Sequence, residues 1–225
     1  MPCLNCGNSA TCRAHILPGA VGKDIIISAD DGRRKALSLA APDRTDNTLQ
    51  SGIFDSDILC GACDGKLGLY DDHAIHISRL LGTRAEVLTR NDFTIQRDNG
   101  VNHQHLALFA AAVLWRASVS TYRELWQFSL DAAEQERFRA MAFKEIVDVP
   151  TVAILRLVSD NPIAHKAARL AMSYPGRFIT DDGHWRAKFS IRGLLFLIKI
   201  GQKPDAWLES LLPLRPLAKP KAPPV

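Results

Sequence analysis

Long apolar runs are missing from this chain. No apolar stretch, Gly193 to Ile198 included, approaches the roughly 20 residues that a helix needs to cross a bilayer, so no membrane-spanning helix is expected. No secretory leader is expected either. Cys3, Asn5 and Cys6 sit where an apolar leader core should lie, and a cytoplasmic location is the expectation. No internal repeat is visible. Cysteine is scarce, and its five copies make an odd number. Without an export signal, a disulfide framework has little support, because reduced thiols are the cytosolic norm.

What is present is the composition of an ordinary globular protein. The chain has 225 residues, 47% apolar and 23% charged, which is enough for one large domain or two small ones. Its net charge of +4 is unevenly placed. Residues 1–100 hold 11 Lys and Arg against 13 Asp and Glu, a net of −2; residues 101–225 hold 17 against 11, a net of +6. Any attraction to phosphate would therefore come from the second part, although mixed charge is also what a plain solvated surface carries.

The pattern implies an α+β protein in which a zinc-binding ββα module precedes a helical and antiparallel-sheet domain. The first module covers about residues 1–90. It opens with a tight Cys-x-x-Cys-Gly turn, then a short strand ending near His15-Ile16-Leu17-Pro18. Asp24 to Ser28 and Lys35 to Leu39 flank Ala29-Asp30-Asp31-Gly32 and predict a hairpin. A helix should start near Cys63 and carry Leu67, Leu69 and Tyr70. Residues 91–104, rich in Asn, Asp and Gln, read as a connection. The second module covers about 103–212. It begins with a helix over about 103–128, where Leu106, Phe109, Ala110, Val113, Leu114 and Ala117 recur at helical spacing and Trp115, Val119, Tyr122 and Trp126 form a second stripe. A helix apolar on two faces is buried on two faces. A second helix over about 131–146 has Asp131 as N-cap. Strands are expected at Thr151 to Val158, Arg177 to Thr180, Trp185 to Ile191 and Leu194 to Ile200, with a turn at Asp181-Asp182-Gly183-His184 and a short helix over about 163–173. Residues 213–225 are Pro- and Lys-rich and read as a disordered tail.

Four of the five cysteines fall into two Cys-x-x-Cys pairs, Cys3/Cys6 and Cys60/Cys63, with 53 residues between them. Each pair can present two sulfurs from one turn, and two turns complete a tetrahedron around zinc. Four cysteines leave no open coordination position, so this zinc would be structural, and its binding free energy would be folding free energy.

Between and after the pairs stand Arg13-Ala14-His15-Ile16-Leu17-Pro18 and Leu59-Cys60-Gly61-Ala62-Cys63-Asp64-Gly65-Lys66-Leu67-Gly68-Leu69-Tyr70-Asp71-Asp72. Together with the cysteines these resemble the HNH (His-Me finger) endonuclease superfamily, in particular a branch with Cys-x-x-Cys, His-Ile-Ile-Pro and Cys-x-x-Cys-Asn-x-x-Leu-Gly-x-x-Asp. The likeness covers about residues 3–75. It implies a treble-clef-like head, DNA as the partner and phosphodiester hydrolysis as the activity. His15 falls where the family has its general base. Asp64 falls where it has a ligand to a catalytic divalent metal, Mg²⁺ or Mn²⁺, and a carboxylate oxygen suits a hard cation. One departure stands out. The family places an acidic metal ligand directly before the histidine, and here that residue is Ala14. Asp57, Asp71 or Asp72 are the acids near enough in sequence to replace it.

Plainer roles stand beside these. His15 could cap a strand or pack against the cysteine turn. Asp64 could be the acidic first turn of a helix. His73 and His76 fit solvent or core positions at a helix end. His103 and His105 should point apart as a helix begins. Cys12 fits a small buried side chain. The Trp115 and Trp126 stripe reads as core before it reads as a base-stacking platform. Arg177, Arg186, Lys188 and Arg192 form either a polar sheet face or a phosphate track. Two functions follow: a metal-dependent endonuclease, or a catalytically degenerate zinc-stabilised module that binds nucleic acid or protein. A third possibility makes residues 101–225 a sensor or regulatory domain with the zinc head as adaptor.

Overall fold

The structure is a computed structural model that describes residues 1–10, 12–21, 27–28, 34–35, 54–80, 86–90, 93–97, 101–122, 125, 128–144, 152–156, 172–201 and 203–210. Its described elements mix helices with small antiparallel sheets, and its cysteine cluster lies near the N-terminus. No helix among the described residues is long and apolar enough to cross a membrane.

The chain starts in a tight turn. Gly7 N donates to Cys3 O at 2.8 Å, and Gly7 takes φ 77°, a conformation that glycine adopts without strain. Strand β1 (Ala14–His15) pairs antiparallel with β4 (Phe54–Asp55), in the register Ala14 to Asp55 and His15 to Phe54. Between them β2 (Ile27–Ser28) pairs with β3 (Arg34–Lys35). This is the expected hairpin as far as it is described; its turn lies outside the described residues. Helix α1 (Gly61–Leu80) begins one residue after Cys60. Its buried face, Cys63, Leu67, Tyr70, Ala74 and Ile77, follows the spacing of one helical stripe, whereas Leu69 is exposed.

Residues 91–104 are not simply a connection. Strands β5 (Glu86–Arg90) and β6 (Phe93–Arg97) pair antiparallel across that stretch. Strand β5 does not alternate in hydrophobicity, and the short Phe-Thr-Ile-Gln alternation of β6 is set among Asn and Asp residues, which hid the hairpin. Helix α2 (His103–Val119) follows, with Asn102 as N-cap accepting from His105 N at 3.1 Å. It ends well before the expected residue 128. Asp55 captures the chain there: its Oδ2 accepts from Ser120 Oγ, Thr121 N and Thr121 Oγ1, and Ser120 is extended. Periodicity alone carried the pattern on to Tyr122. Trp126 lies outside the described residues.

Helix α3 (Ala132–Lys144) opens as expected, with Asp131 Oδ1 accepting from Glu134 N at 2.8 Å. The Glu134 carboxylate does not close a capping box; it accepts from Gly201 N at 2.9 Å. The four-stranded antiparallel sheet contains β7 (Val152–Arg156), β8 (Ser173–Ile179), β9 (Trp185–Ile191) and β10 (Leu194–Lys199), in the order β7-β10-β9-β8. Gly183 takes φ 79° in the β8–β9 turn. Arg192 (φ 47°) and Gly193 (φ 81°) form the two-residue β9–β10 turn. The helix expected over 163–173 lies outside the described residues, except that Met172 is not helical and Ser173 opens β8. The tail at 213–225 also lies outside them. A short α4 (Ala206–Ser210) closes the described chain.

One apolar core runs from Cys3 to Ile200. Helix α2 is its centre. It packs on α1 and α3, and Phe109 meets Phe189 at 5.8 Å and Phe196 at 5.4 Å between ring centroids. Every residue from Leu108 to Ala117 is buried. That includes Arg116, which therefore needs a partner inside the protein.

Candidate metal centre

The two cysteine pairs meet. The sulfurs of Cys3, Cys6, Cys60 and Cys63 all lie within 4.8 Å of one another, and Cys6 Sγ is 3.7 Å from Cys60 Sγ. A zinc ion with bonds of about 2.3 Å to four sulfurs implies a sulfur–sulfur edge of roughly 3.8 Å, so the donor set fits a tetrahedral thiolate site. Local backbone bonds assemble it. Leu4 N donates to Ile58 O at 3.0 Å, which ties the first turn to the segment before Cys60. Cys63 N and Asp64 N both bond to Cys60 O as α1 begins.

The thiols sense one another. Burial acts to raise the Cys3 thiol, but amides at Cys6, Cys60 and Asn5, together with the Cys6 thiol, bring it down to about 6. Burial pushes the Cys63 thiol up to about 12; Asn5 opposes this, and the three other sulfurs add to it. One charge is thus easily placed and four are not, unless a cation joins them. Cys12 stands outside the tetrad. Burial and the charges of Asp64, Cys60 and Cys3 raise its thiol, which donates to Leu59 O at 3.2 Å.

Next to the tetrad lies a group of charged side chains. Asp64 is in the first turn of α1 and is half-buried. Burial raises its carboxyl; Arg116 opposes that, Asp71 reinforces it, and His15 opposes it. The structure therefore brings Asp64, Asp71, Arg116 and His15 into one electrostatic neighbourhood. Asp71, seven residues along α1, is fully engaged: Arg116 Nη1 reaches its Oδ2 at 3.1 Å and Nη2 its Oδ1 at 2.9 Å. Arg116 Nε also donates to Ala112 O. Asp57 and Asp72 are exposed. His15 lies beside Phe54, with ring centroids 6.0 Å apart. Its buried Nε2 packs so closely over Gly19 that a Cβ added there would stand 2.9 Å from it.

Position 14 points elsewhere. Alternation along β1 turns Ala14 away from His15, and Ala14 is fully buried opposite Asp55. Among the described residues, the cysteine tetrad is the one group of three or more His, Cys, Asp or Glu side chains that could hold a metal ion.

The other singled-out residues separate. His103 and His105 do diverge in exposure, but His105 turns onto His73, with perpendicular rings 5.3 Å apart, and onto Tyr70 at 5.6 Å. His76 is exposed. Trp115 is core, packed edge-on to Phe143. Arg186 is buried on Asp205, Arg177 stacks over Trp185, Lys188 lies over Phe178, and Arg192 sits in a turn. Sequence reasoning missed Asn5, Arg116, Arg139 and Asp55. The one available signal was Arg116, a charge within an otherwise apolar helical run.

No protein-family model, curated protein or solved structure matches this chain.

Proposed function

We propose that this protein is an HNH-like, divalent-metal-dependent endonuclease acting on DNA, with a treble-clef-like head held by structural zinc. What supports the reading is that Asp64 directly follows Cys63 of the tetrad at the start of α1 and that the charge of His15, on β1, acts on the Asp64 carboxyl. The tetrad fixes the start of α1, and with it Asp64, one residue beyond Cys63. Strand β1 holds His15 on the other arm. His15 is the general base that takes a proton from water, and Phe54 and Gly19 fix its ring. Asp64 is the ligand for Mg²⁺ or Mn²⁺. Such an ion needs only one or two protein carboxylates when water and a substrate phosphate complete its shell, so a single acid fits magnesium better than calcium. When bound, the ion would neutralise charge on the leaving oxygen. Asp71 takes no part, because Arg116 occupies both its oxygens.

Plasmid nicking tests this. Purified protein with Mg²⁺ or Mn²⁺ should nick DNA, and His15→Ala should not. Equal background cleavage by both ends the proposal.

A second reading is a catalytically degenerate module that binds nucleic acid or protein. It is favoured by the pairing of one candidate acid, Asp71, with Arg116, and by the buried alanine at position 14, where the family has an acid. It predicts binding that survives His15→Ala and disappears in Cys60→Ser. Strict divalent-metal dependence of an activity would count against it.

A further inference from the structure

A chain of hydrogen bonds leads from α3 to the cysteine sulfurs. Asn5 lies inside the first Cys-x-x-Cys turn, and its Nδ2 donates to Cys63 Sγ at 3.3 Å. Arg139 of α3 reaches the other end of the same amide, Nη1 to Asn5 Oδ1 at 2.7 Å. Glu136 in turn holds Arg139 through two bonds of 2.7 Å, to Nε and Nη2. The chemistry of the groups fixes the direction of the relay. Arginine only donates, so Asn5 must offer it the carbonyl oxygen, and the amide N–H groups are left to face sulfur. Four thiolates around a dication keep a net charge of −2, which an N–H donor stabilises and a distant positive charge offsets.

We infer that Asn5 and Arg139 are positioning residues of the metal centre: Arg139 locks the Asn5 amide so that its N–H points at Cys63. The inference rests on the reading of the tetrad as a metal site. It makes α3, which begins 69 residues after Cys63 in sequence, part of that site.

Co²⁺ is the probe, added to the full chain. Wild type should bind one Co²⁺ per chain with the intense sulfur-to-metal charge-transfer bands of a tetrathiolate. If those bands are missing, the metal-site reading itself falls. If they are present, Co²⁺ affinity is measured by competition with a chelator. Asn5→Ala should lower it roughly 10- to 100-fold, the usual cost of losing an outer-shell partner. Arg139→Ala should lower it less, because it acts through Asn5. For the same reason the double variant should be no weaker than Asn5→Ala alone. Asn5→Asp keeps the size and the Arg139 contact but turns a carboxylate on sulfur, so it should bind Co²⁺ more weakly than Asn5→Ala. Wild-type affinity in both Asn5 variants, or additive losses in the double variant, would overturn the relay.

Discussion

Arg116→Met tests how the two halves of the chain are joined. Arg116 is 1% exposed and lies in the last turn of α2; its partner Asp71 on α1 is 14% exposed. The two-pronged contact crosses the α1–α2 interface. Methionine fills most of the volume, so little of the effect is a cavity. What remains is a carboxylate without its cation. Breaking such a pair costs about 3–5 kcal/mol when the survivor is fully buried. Asp71 keeps some access to water, which places the expected loss near about 3 kcal/mol. In a chain of this size that is a fall of roughly 6–12 °C in Tm. Urea unfolding of metal-loaded protein gives the number. Arg116→Met/Asp71→Leu should recover most of the loss, because it removes both charges. A single-variant loss under about 1 kcal/mol, or a double variant no better than the single, would refute the argument that Arg116 is buried for the sake of Asp71.

Three other expectations follow. Chelation, or Cys60→Ser, should unfold the start of α1 and lower far-UV helical signal, since structural zinc contributes about 10–16 kcal/mol, as much as a whole domain's stability; an unchanged melting curve with chelator would contradict this. The Arg186 guanidinium holds the Asp205 carboxyl below the usual carboxylate range, outweighing its burial. Because the folded pKa is depressed, that stability is present above the ordinary carboxylate value and is lost as pH falls through the folded one. Asp205→Asn should therefore be less stable than wild type at pH 7 and converge on it in acid, and a gap that stays constant with pH would exclude the linkage. Ala14→Asp should lower Tm and bring no gain in metal-dependent nicking, because position 14 is fully buried opposite Asp55 and faces away from His15; increased nicking would show that the face assignment is wrong.

Much of the architecture was legible because local chemistry decided it. The β8–β9 turn needed only Asp181-Asp182-Gly183-His184, and the α3 cap only Asp131. The cysteine tetrad announced itself through spacing. Elements set by distant partners were not legible. Helix α2 ends at Val119 because Asp55, 65 residues earlier, takes the hydrogen bonds of Ser120 and Thr121. Strand β5 lacks alternation, and the alternation of β6 spans only Phe93 to Gln96, too short a period to stand out among its polar neighbours. At the candidate site, sequence placed Asp64 and His15 on two arms but could not place Ala14, because only the β1–β4 register says which way that side chain faces. Nor could it tell that Asp71 was already taken, since the cation that takes it lies 45 residues away.

These partners also change the meaning of the charge asymmetry. The first hundred residues are acidic and the remainder basic, so from sequence alone any attraction to phosphate would come from the second part. Yet some of the basic side chains in the second part are spent on partners within the protein. Arg116 neutralises Asp71 and acts on Asp64, and Arg139 reaches the cysteine cluster through Asn5. A tetrathiolate zinc site would add two more negative charges to the head. The head therefore concentrates anions at a few buried points, and α2 and α3 supply cations to those same points. Part of the basic excess holds the acidic head in place, and only the remainder is left for solvent or, under the proposed function, for DNA.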